Sequence, residues 1–530
     1  MKEENKKASK IDFNKVKDVT MTVFKKIGLV IKRLFVLLVK FIKKLSKIKV
    51  GKYFNGAHVL FAVIALILIF IGLSNSNKEI AYPVIYNNGE GDLYLIDKDI
   101  NNEENAIKLG NGEYTNNVKY ANTTDRYILF QKNESLYLYD SKEKGETTKI
   151  LSNVQVGEYY FTDDDKYVVA LDEDNNLMVY DFKDTTKLDK DVSQIVVNEN
   201  DSLQDKVMYI KEKVLYVKSI NPKKNDRLKV SEEYDSQISL SEDKKNVIYI
   251  DNDKTLHMFN IKKDNDEVIA KKVSSYYCDD KSCNKMFFIQ NDDRKSVYYY
   301  NGKDTEVLSK DIYSLHAWDV DKKQVVFSRM SDKKYTLYYQ KLGSDAVEIE
   351  DNITSLRSVK LFNGKDIYFV TSDNELKYAQ INGSKINGVK SIGEDVTGYL
   401  IAHKKGYVFV GDVENSKGVL YLAKGGKTTQ IDENVTNGLI TVSNDGKNIY
   451  YLKDYKTTGD LYVSKNGRKG KLIDKDVYNY EYVKDNLIYL IKDYSVSKSR
   501  GDLYRYTNKS VLIAEDITRI ADISTGYEAE

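Results

Sequence analysis

Side-chain catalysis would need a nucleophile, a base and an orienting group, so histidine is the first residue type to consider. The 530-residue chain contains only four histidines, His58, His257, His316 and His403. No Gly-x-Ser-x-Gly, His-Glu-x-x-His, P-loop or dinucleotide-binding pattern occurs. A Ser/His/Asp triad assembled from distant segments stays open, but we predict structural roles for His257, His316 and His403. The sequence thus predicts no catalytic residue and no cofactor.

Clusters of carboxylates could bind a metal ion. Three stand out: Asp163-Asp164-Asp165, Asp172-Glu173-Asp174 and Asp251-Asn252-Asp253. A calcium loop would need a fixed ligand spacing with a glycine and a closing glutamate, and that pattern is missing. Asp and Asn also favour the backbone geometry of tight turns. We therefore predict turn roles and no metal site, with metal binding as the alternative.

The two cysteines, Cys278 and Cys283, enclose the sequence Asp-Asp-Lys-Ser, which predicts a turn. A disulfide across this turn is feasible outside the cytoplasm. Zinc would require two further ligands, and none lies nearby in the sequence. We predict the disulfide, with free thiols as the alternative.

These residues lie on a chain that repeats. Gly-Asp-Leu-Tyr occurs at Gly91, Gly459 and Gly501, and an equivalent apolar residue marks every copy. The marks are Leu93, Leu136, Leu177, Leu215, Leu256, Val297, Leu337, Leu376, Leu420, Leu461 and Leu503. Their mean spacing is 41 residues, a period typical of propeller blades.

One copy, 437–477, shows the content of a repeat. Apolar runs at Leu439–Val442, Ile449–Leu452, Leu461–Val463 and Leu472–Ile473 are separated by polar turns. Asn466-Gly467 favours a type I′ hairpin because both residues accept positive φ. Four short strands in about 41 residues correspond to one blade. The sequence therefore predicts an all-β propeller of about eleven four-stranded blades.

The repeat resembles that of the TolB-like β-propellers, whose turn reads Trp-Ser-Pro-Asp-Gly-Lys. Partial matches begin at Ser443, Ser241 and Trp318, although the turn proline is missing from all of them. The resemblance covers about residues 78 to 526 and implies that loops between second and third strands reach one rim. Those loops carry Tyr455 and Tyr494, which we predict as ligand-binding residues, with packing against the next blade as the alternative. Trp318 occupies the structural turn position.

Eleven blades exceed the four to eight usual in one ring, so we expect two rings within 78–526. The first copy starts at Pro83 without its leading strand, and the chain finishes with an extra one, Ile517–Ile523. That strand is expected to complete the first blade.

The residues before the repeats predict a membrane anchor. Residues 54–74 form an uncharged stretch of 21 residues, which as a helix spans roughly 31 Å. A buried helix and a cleaved signal peptide are the alternatives. Residues 1–56 hold 16 Lys/Arg and 4 Asp/Glu, whereas the remainder holds 66 and 76. The positive-inside rule then predicts a single-pass protein of the cell membrane with a cytoplasmic N-terminus and an extracytoplasmic propeller.

The predicted cytoplasmic tail, 1–53, contains an amphipathic segment. Between Val19 and Asn55 there are ten basic residues and no acidic one, and Val23–Ile48 combines them with apolar residues at helical intervals. This pattern favours a helix on an anionic bilayer surface. A helix that binds a protein partner is the alternative.

The pattern as a whole predicts a binding module that recognises a protein or a cell-envelope polymer, in addition to the lipid bilayer and without nucleic acid. Two other classes stay open. A hydrolase or lyase would gather ionisable groups from several blades at a channel mouth. A transmembrane sensor would relay binding to the tail. Fold alone does not separate these classes.

Overall fold

The computed structural model describes residues 83–523 except 97–105, 112–117, 125, 144–146, 197–202, 204, 222, 225, 233–236, 279–280, 293, 399, 404–405, 444 and 485–486. They belong to the unit that spans residues 80–530. The predicted tail (1–53), its amphipathic segment and the predicted membrane helix (54–74) lie outside the described residues. Within the described residues, no helix has both the length and the apolar character needed to cross a membrane.

The described residues form 41 strands and one 3-10 turn, Ser141–Glu143. The first eleven strands are β1 (Val84–Asn88), β2 (Asp92–Ile96), β3 (Ile107–Asn111), β4 (Lys119–Tyr120), β5 (Tyr127–Lys132), β6 (Ser135–Asp140), β7 (Thr147–Leu151), β8 (Val154–Phe161), β9 (Val168–Asp172), β10 (Leu177–Tyr180) and β11 (Thr185–Asp189). The next ten are β12 (Gln194–Ile195), β13 (Lys206–Lys211), β14 (Val214–Ser219), β15 (Leu228–Ser231), β16 (Ile238–Leu240), β17 (Asn246–Ile250), β18 (Leu256–Asn260), β19 (Asn265–Ala270), β20 (Val273–Cys278) and β21 (Met286–Gln290).

The ten that follow are β22 (Ser296–Tyr300), β23 (Thr305–Ser309), β24 (Ser314–Asp319), β25 (Gln324–Ser331), β26 (Lys334–Lys341), β27 (Val347–Ile353), β28 (Leu356–Phe362), β29 (Asp366–Thr371), β30 (Leu376–Asn382) and β31 (Lys385–Gly393). The last ten are β32 (Leu400–His403), β33 (Gly406–Glu414), β34 (Lys417–Lys424), β35 (Lys427–Val442), β36 (Asn448–Lys453), β37 (Gly459–Lys465), β38 (Lys471–Lys484), β39 (Leu487–Ser495), β40 (Arg500–Tyr506) and β41 (Ser510–Ile523).

Strands β4 to β31 form seven antiparallel sheets of four consecutive strands, which we label A (β4–β7), B (β8–β11), C (β12–β15), D (β16–β19), E (β20–β23), F (β24–β27) and G (β28–β31). The other thirteen strands form sheet H, in the order β3-β2-β1-β41-β40-β39-β38-β37-β36-β35-β34-β33-β32. The predicted all-β architecture of four-stranded antiparallel sheets, consistent with a β-propeller, is confirmed.

Each of the eleven repeat marks lies at the same structural position. Every one is buried and sits at a β-bulge between the third and fourth strands of its repeat, where the pairing register shifts. A bulge adds one residue to one strand and increases the local twist. The 41-residue period is therefore the spacing of a bulge that recurs between the third and fourth strands of each repeat.

Three strands of sheet H, β35, β38 and β41, are 14 to 16 residues long, which the sequence did not predict. The N-terminal part of each long strand pairs with the strand before it, and the C-terminal part pairs with a different strand. For example, β35 pairs with β34 as far as Thr436 and with β36 from Val435 onward. A residue with positive φ precedes each change of partner, namely Asn434, Asp476 and Asp516. Asp and Asn tolerate this conformation better than other side chains. The outer strand of one repeat thus continues directly into the inner strand of the next.

Hydrophobic clusters join consecutive repeats. Six clusters lie between neighbouring sheets from A to G, and two more join sheet H to A and to G. Three further clusters lie within sheet H, and each contains residues from the repeats on both sides of one long strand. One of them packs β1 and β2 against β38 to β41. Among the described residues, each of these clusters joins repeats that are neighbours in the chain or are the last and the first.

Two rims follow from the strand order. We call the side with the turns between second and third strands (for example Asp172–Leu177 and Lys453–Gly459) the bc rim. Its turns accept hydrogen bonds from the residue after the outer strand, as in Val192 N to Asn175 O, 2.9 Å, and Ile312 N to Lys295 O, 3.1 Å. The opposite side, with the turns from first to second and from third to fourth strands, is the ab rim. There Asp243 N donates to Lys281 O of the next sheet, 2.9 Å.

Candidate functional site

Tyr455 and Tyr494, the two residues predicted to bind a ligand, both lie on the bc rim. Tyr455 belongs to the turn between β36 and β37, and Tyr494 lies near the end of β39. Both side chains are half-buried. Their placement on one rim agrees with the position expected for such loops.

A third tyrosine, Tyr478 in β38, joins them. The rings of Tyr478 and Tyr494 are parallel within 1°, with centroids 3.5 Å apart. The Tyr455 hydroxyl donates to the Tyr478 carbonyl oxygen, 3.1 Å. The hydrogen bond with Tyr494, followed by burial, raises the pKa of Tyr478 to about 12. The three tyrosines form one cluster across two repeats. Tyr478 and Tyr494 each have one ring face covered by the other ring.

A second aromatic cluster on the bc rim is more exposed, and sequence reasoning missed it. Tyr313 is 44% exposed and Met330 49%. Tyr335 lies opposite Met330 in the β25–β26 hairpin, and its ring centroid is 5.1 Å from that of Tyr313. Lys295 Nζ donates to the Tyr313 carbonyl oxygen, 2.6 Å. The sequence signal that could have found this cluster is the aromatic residue directly after Asp311-Ile312, the Asp-Ile pair that follows the outer strand β23.

An acidic pocket of about 380 Å³ lies between sheets C and D, also toward the bc rim. Its lining includes Glu232 from the end of β15 and Asp251, Asp253, His257 and Asp266 from sheet D. Tyr249 forms part of the wall and stacks on the His257 ring, with centroids 4.7 Å apart and planes 6° apart. Sequence reasoning assigned Asp251 to a turn and His257 to structure, and it did not connect them.

Both nitrogens of His257 face carboxylates. Nδ1 lies 2.6 Å from Asp266 Oδ2, and Nε2 lies 3.2 Å from Asp251 Oδ2. Burial alone would lower the pKa of His257, but the hydrogen bond and charge of Asp266, aided by Asp251, raise it above the ordinary value. Carboxylates on both sides stabilise an imidazolium. The geometry therefore suits a fixed cation in an acidic pocket better than a base with a vacant nitrogen.

The other described histidines have packing roles. His316 Nε2 lies 2.9 Å from Ser328 Oγ, and burial lowers the pKa of His316 to about 4. His403 lies beside Gly446 in the turn of the following repeat. Burial and the charge of Lys424 lower its pKa. Trp318 is half-buried and its ring contacts Tyr277, with centroids 4.3 Å apart.

The acidic triplets lie in turns, as predicted. Asp165 has positive φ and accepts hydrogen bonds from the backbone amides of Asn122 and Thr123, 2.7 and 2.6 Å, in the preceding sheet. Asp251 accepts from the Thr255 amide, 2.7 Å, and so closes its turn. Within the described residues, no group of three or more His, Cys, Asp or Glu side chains has the geometry to hold a metal ion.

Cys278 and Cys283 are not bonded to each other in the structure, and the disulfide between them stays a prediction. Cys283 has a φ of 53° and a buried side chain that belongs to the cluster between sheets D and E. Cys278 ends β20 and is half-buried at the edge of that cluster. Both cysteines therefore contact the core between these two sheets.

The comparisons with known proteins add little to this geometry. No protein-family model and no curated protein matches the sequence. Among solved structures, the chain is similar to tricorn protease at 11% identity and a TM-score of 0.28, covering 83% of this chain and 59% of that one. It is also similar to a chain of the mitotic checkpoint complex at 12% identity and a TM-score of 0.26, covering 51% of this chain and 88% of that one. At these TM-scores neither likeness carries an argument about function.

Proposed function

We propose that the repeats form one closed β-propeller of eleven blades, in place of the two rings expected from length. If β35, β38 and β41 each serve two blades, sheet H contains four blades, and sheets A to G supply seven. Two observations support one ring. Hydrophobic clusters link each repeat to the next, including the last to the first, and β41 pairs with β1.

We further propose that this propeller is of the TolB-like kind and is held outside the cell by the predicted single-pass helix at 54–74. The excess of basic residues before position 57 and of acidic residues after it supports this orientation. Protease added to intact cells should cleave the exposed part of the β39–β40 turn, 496–499, and spare the first 50 residues. Digestion of the tail with protection of the repeats would show the opposite orientation.

The propeller's function, we propose, is to bind a protein or a cell-envelope polymer through the bc rim. The exposed cluster of Tyr313, Met330 and Tyr335 carries this proposal. Tyrosine and methionine are enriched at interfaces because they offer large contact areas. The cluster of Tyr455, Tyr478 and Tyr494 lies on the same rim and extends the surface.

A photo-crosslinking residue placed at position 313 of the full-length protein tests this proposal in intact cells. Position 307 is the matched control, because Val307 is 45% exposed like Tyr313 but lies on the outer strand β23 of sheet E. We expect a crosslinked adduct at position 313 and not at 307. Protease treatment of the adduct then separates a protein partner from a polymer. Equal adducts at both positions, or none at 313, would contradict binding at the bc rim.

The acidic pocket at His257 favours one alternative, a hydrolase or lyase. Ionisable side chains gather in this pocket, as such an enzyme requires, but both nitrogens of His257 face carboxylates, so His257 would act there as a charged group and not as the base of an acyl-transfer triad. Loss of a hydrolytic activity in His257→Gln, with the fold retained and crosslinking at position 313 unchanged, would support an enzyme that uses this pocket.

A further inference from the structure

A groove of about 170 Å³ on the ab rim lies between the last two repeats of sheet H. Its lining includes Tyr450, Leu472 and Ile473 from one repeat and Ile488 and Tyr506 from the next. The two outer strands meet beside it, since Ser510 at the start of β41 donates its hydroxyl to Asp474 of β38.

Three aliphatic side chains on these outer strands are exposed to solvent. Leu472 is 38% exposed, Val511 41% and Leu512 40%. Clusters of exposed apolar side chains on a soluble surface usually mark an interaction site. Leu472 lines the groove, and Val511 and Leu512 follow Ser510 on the neighbouring outer strand β41.

Lys465 and Lys471 line the groove, and further exposed cations lie in neighbouring turns of this rim. Three turns between third and fourth strands on this rim contain seven Lys or Arg and no carboxylate: 424–427 has two, 465–471 has four and 507–509 has one. All seven are exposed, and none forms an ion pair with a residue that the structure describes. The equivalent turns of sheets B and E, 181–184 and 301–304, each balance or outweigh one lysine with aspartate. The turn 465–471 holds the largest excess, four basic residues with no carboxylate, whereas the equivalent turns of sheets C and D, 220–227 and 261–264, carry a smaller net positive charge.

The described chain also starts and ends on this rim. Strand β1 begins at Val84 and runs toward its bc turn, and Ile523 at the end of β41 is paired with Val84. The rim is opposite the one that carries Tyr313 and Tyr455.

We propose that this basic, apolar surface of the ab rim contacts an anionic lipid surface. Lys and Arg attract phosphate-bearing headgroups, and aliphatic side chains gain free energy when they enter the boundary between headgroups and acyl chains. A soluble polyanion would account for the seven cations but would leave Leu472, Val511 and Leu512 exposed. The lipid surface satisfies both features. This contact is separate from the partner proposed for the bc rim.

Hydrogen exchange of the full-length protein on lipid nanodiscs tests the proposal, because it reports segment by segment and so separates this surface from the basic N-terminal tail. Nanodiscs contain phosphatidylglycerol with phosphatidylcholine, or phosphatidylcholine alone. We expect exchange of the amides in 465–472 and 507–512 to slow by roughly tenfold on the anionic nanodiscs only, because contact excludes local opening. High salt should reduce the protection, because the cations are exposed.

Two double variants locate the contact. Lys465→Glu with Lys469→Glu should abolish the protection of 465–472 while exchange elsewhere stays unchanged. Lys183→Glu with Lys303→Glu, in equivalent turns of sheets B and E, should retain it. Unchanged exchange of 465–472 on anionic nanodiscs would overturn the proposal. Equal protection by soluble polyphosphate in place of lipid would overturn the lipid assignment and point to an anionic polymer.

Discussion

Val84, the first strand residue of the described chain, is the register partner of Ile523, the last. Strand β1 therefore lies between β2 and the C-terminal half of β41, and Arg519 Nε donates to Asn87 Oδ1 at 3.1 Å across the junction. The prediction that the extra strand Ile517–Ile523 completes the first repeat is confirmed. The first and the last of the 41 described strands therefore pair with each other.

Truncation after Asp516 should destabilise the whole repeat region. It removes every β41 residue that pairs with β1, including the fully buried Ile517. Loss of a buried isoleucine side chain alone costs about 2 to 5 kcal/mol. Urea unfolding followed by near-UV circular dichroism should show a lower midpoint than a control that ends after Ile523. Equal midpoints would show that the closing strand is dispensable.

The repeat marks should matter more for stability than equally large neighbours. Leu461 is fully buried at its bulge, whereas Leu472 on the adjacent strand is 38% exposed. Leu461→Ala should lower the free energy of unfolding by about 2 to 5 kcal/mol because it leaves a cavity. Leu472→Ala should change it by less than about 1 kcal/mol. Similar losses for the two variants would refute the structural importance of the bulge position.

An ion pair between two repeats should make stability depend on acid pH. The Asp432 side chain is 6% exposed and accepts hydrogen bonds from Lys453 Nζ, 2.6 Å, and the Tyr451 hydroxyl, 2.8 Å. Burial opposes ionisation, but these bonds outweigh it and hold the pKa of Asp432 below its ordinary value. The stabilisation is therefore present above about pH 4 and is lost as pH falls through the folded-state pKa.

Asp432→Ala tests this ion pair directly. It should cost about 3 kcal/mol at pH 7, because removal of one partner leaves Lys453 without its buried counterion. The variant should also lose less stability than the wild type between pH 4 and pH 2. A pH profile parallel to that of the wild type would assign the acid sensitivity to other carboxylates.

The pKa values of two histidines should be shifted in opposite directions. Asp266 and Asp251 raise the pKa of His257 above 6.5, whereas burial lowers the pKa of His316 to about 4. Because the folded pKa of His257 is raised, its stabilising contribution is complete below pH 6.5 and is lost as pH rises through the folded value. NMR titration of the imidazole protons should resolve both groups. Asp266→Asn should lower the pKa of His257 and leave His316 unchanged, and an unshifted His257 would argue against the ion pair.

Local features of this protein follow from sequence because they depend on neighbours in the chain. The 41-residue spacing of the apolar marks predicted repeated four-stranded sheets, and Asn466-Gly467 predicted a turn in which both residues have positive φ, 54° and 72°. Such turns are set by the conformational preferences of two residues. Tyr455 and Tyr494 were placed on one rim for the same reason, since each follows a strand in a recognisable repeat.

Only the tertiary structure decided which side chains meet across strands and sheets. Tyr478 stacks on Tyr494 of the neighbouring strand β39, and Tyr313 contacts Tyr335 of β26, and no local pattern marks either pair. His257 and Asp266 come together because antiparallel pairing of β18 with β19 folds them onto one face. The Cys283 side chain packs into the core between sheets D and E, which its place in a polar turn sequence did not indicate. Sequence spacing predicts which strands form. Which side chains meet across strands and sheets depends on their volume and charge at the interface, and the repeat period carries no information about either.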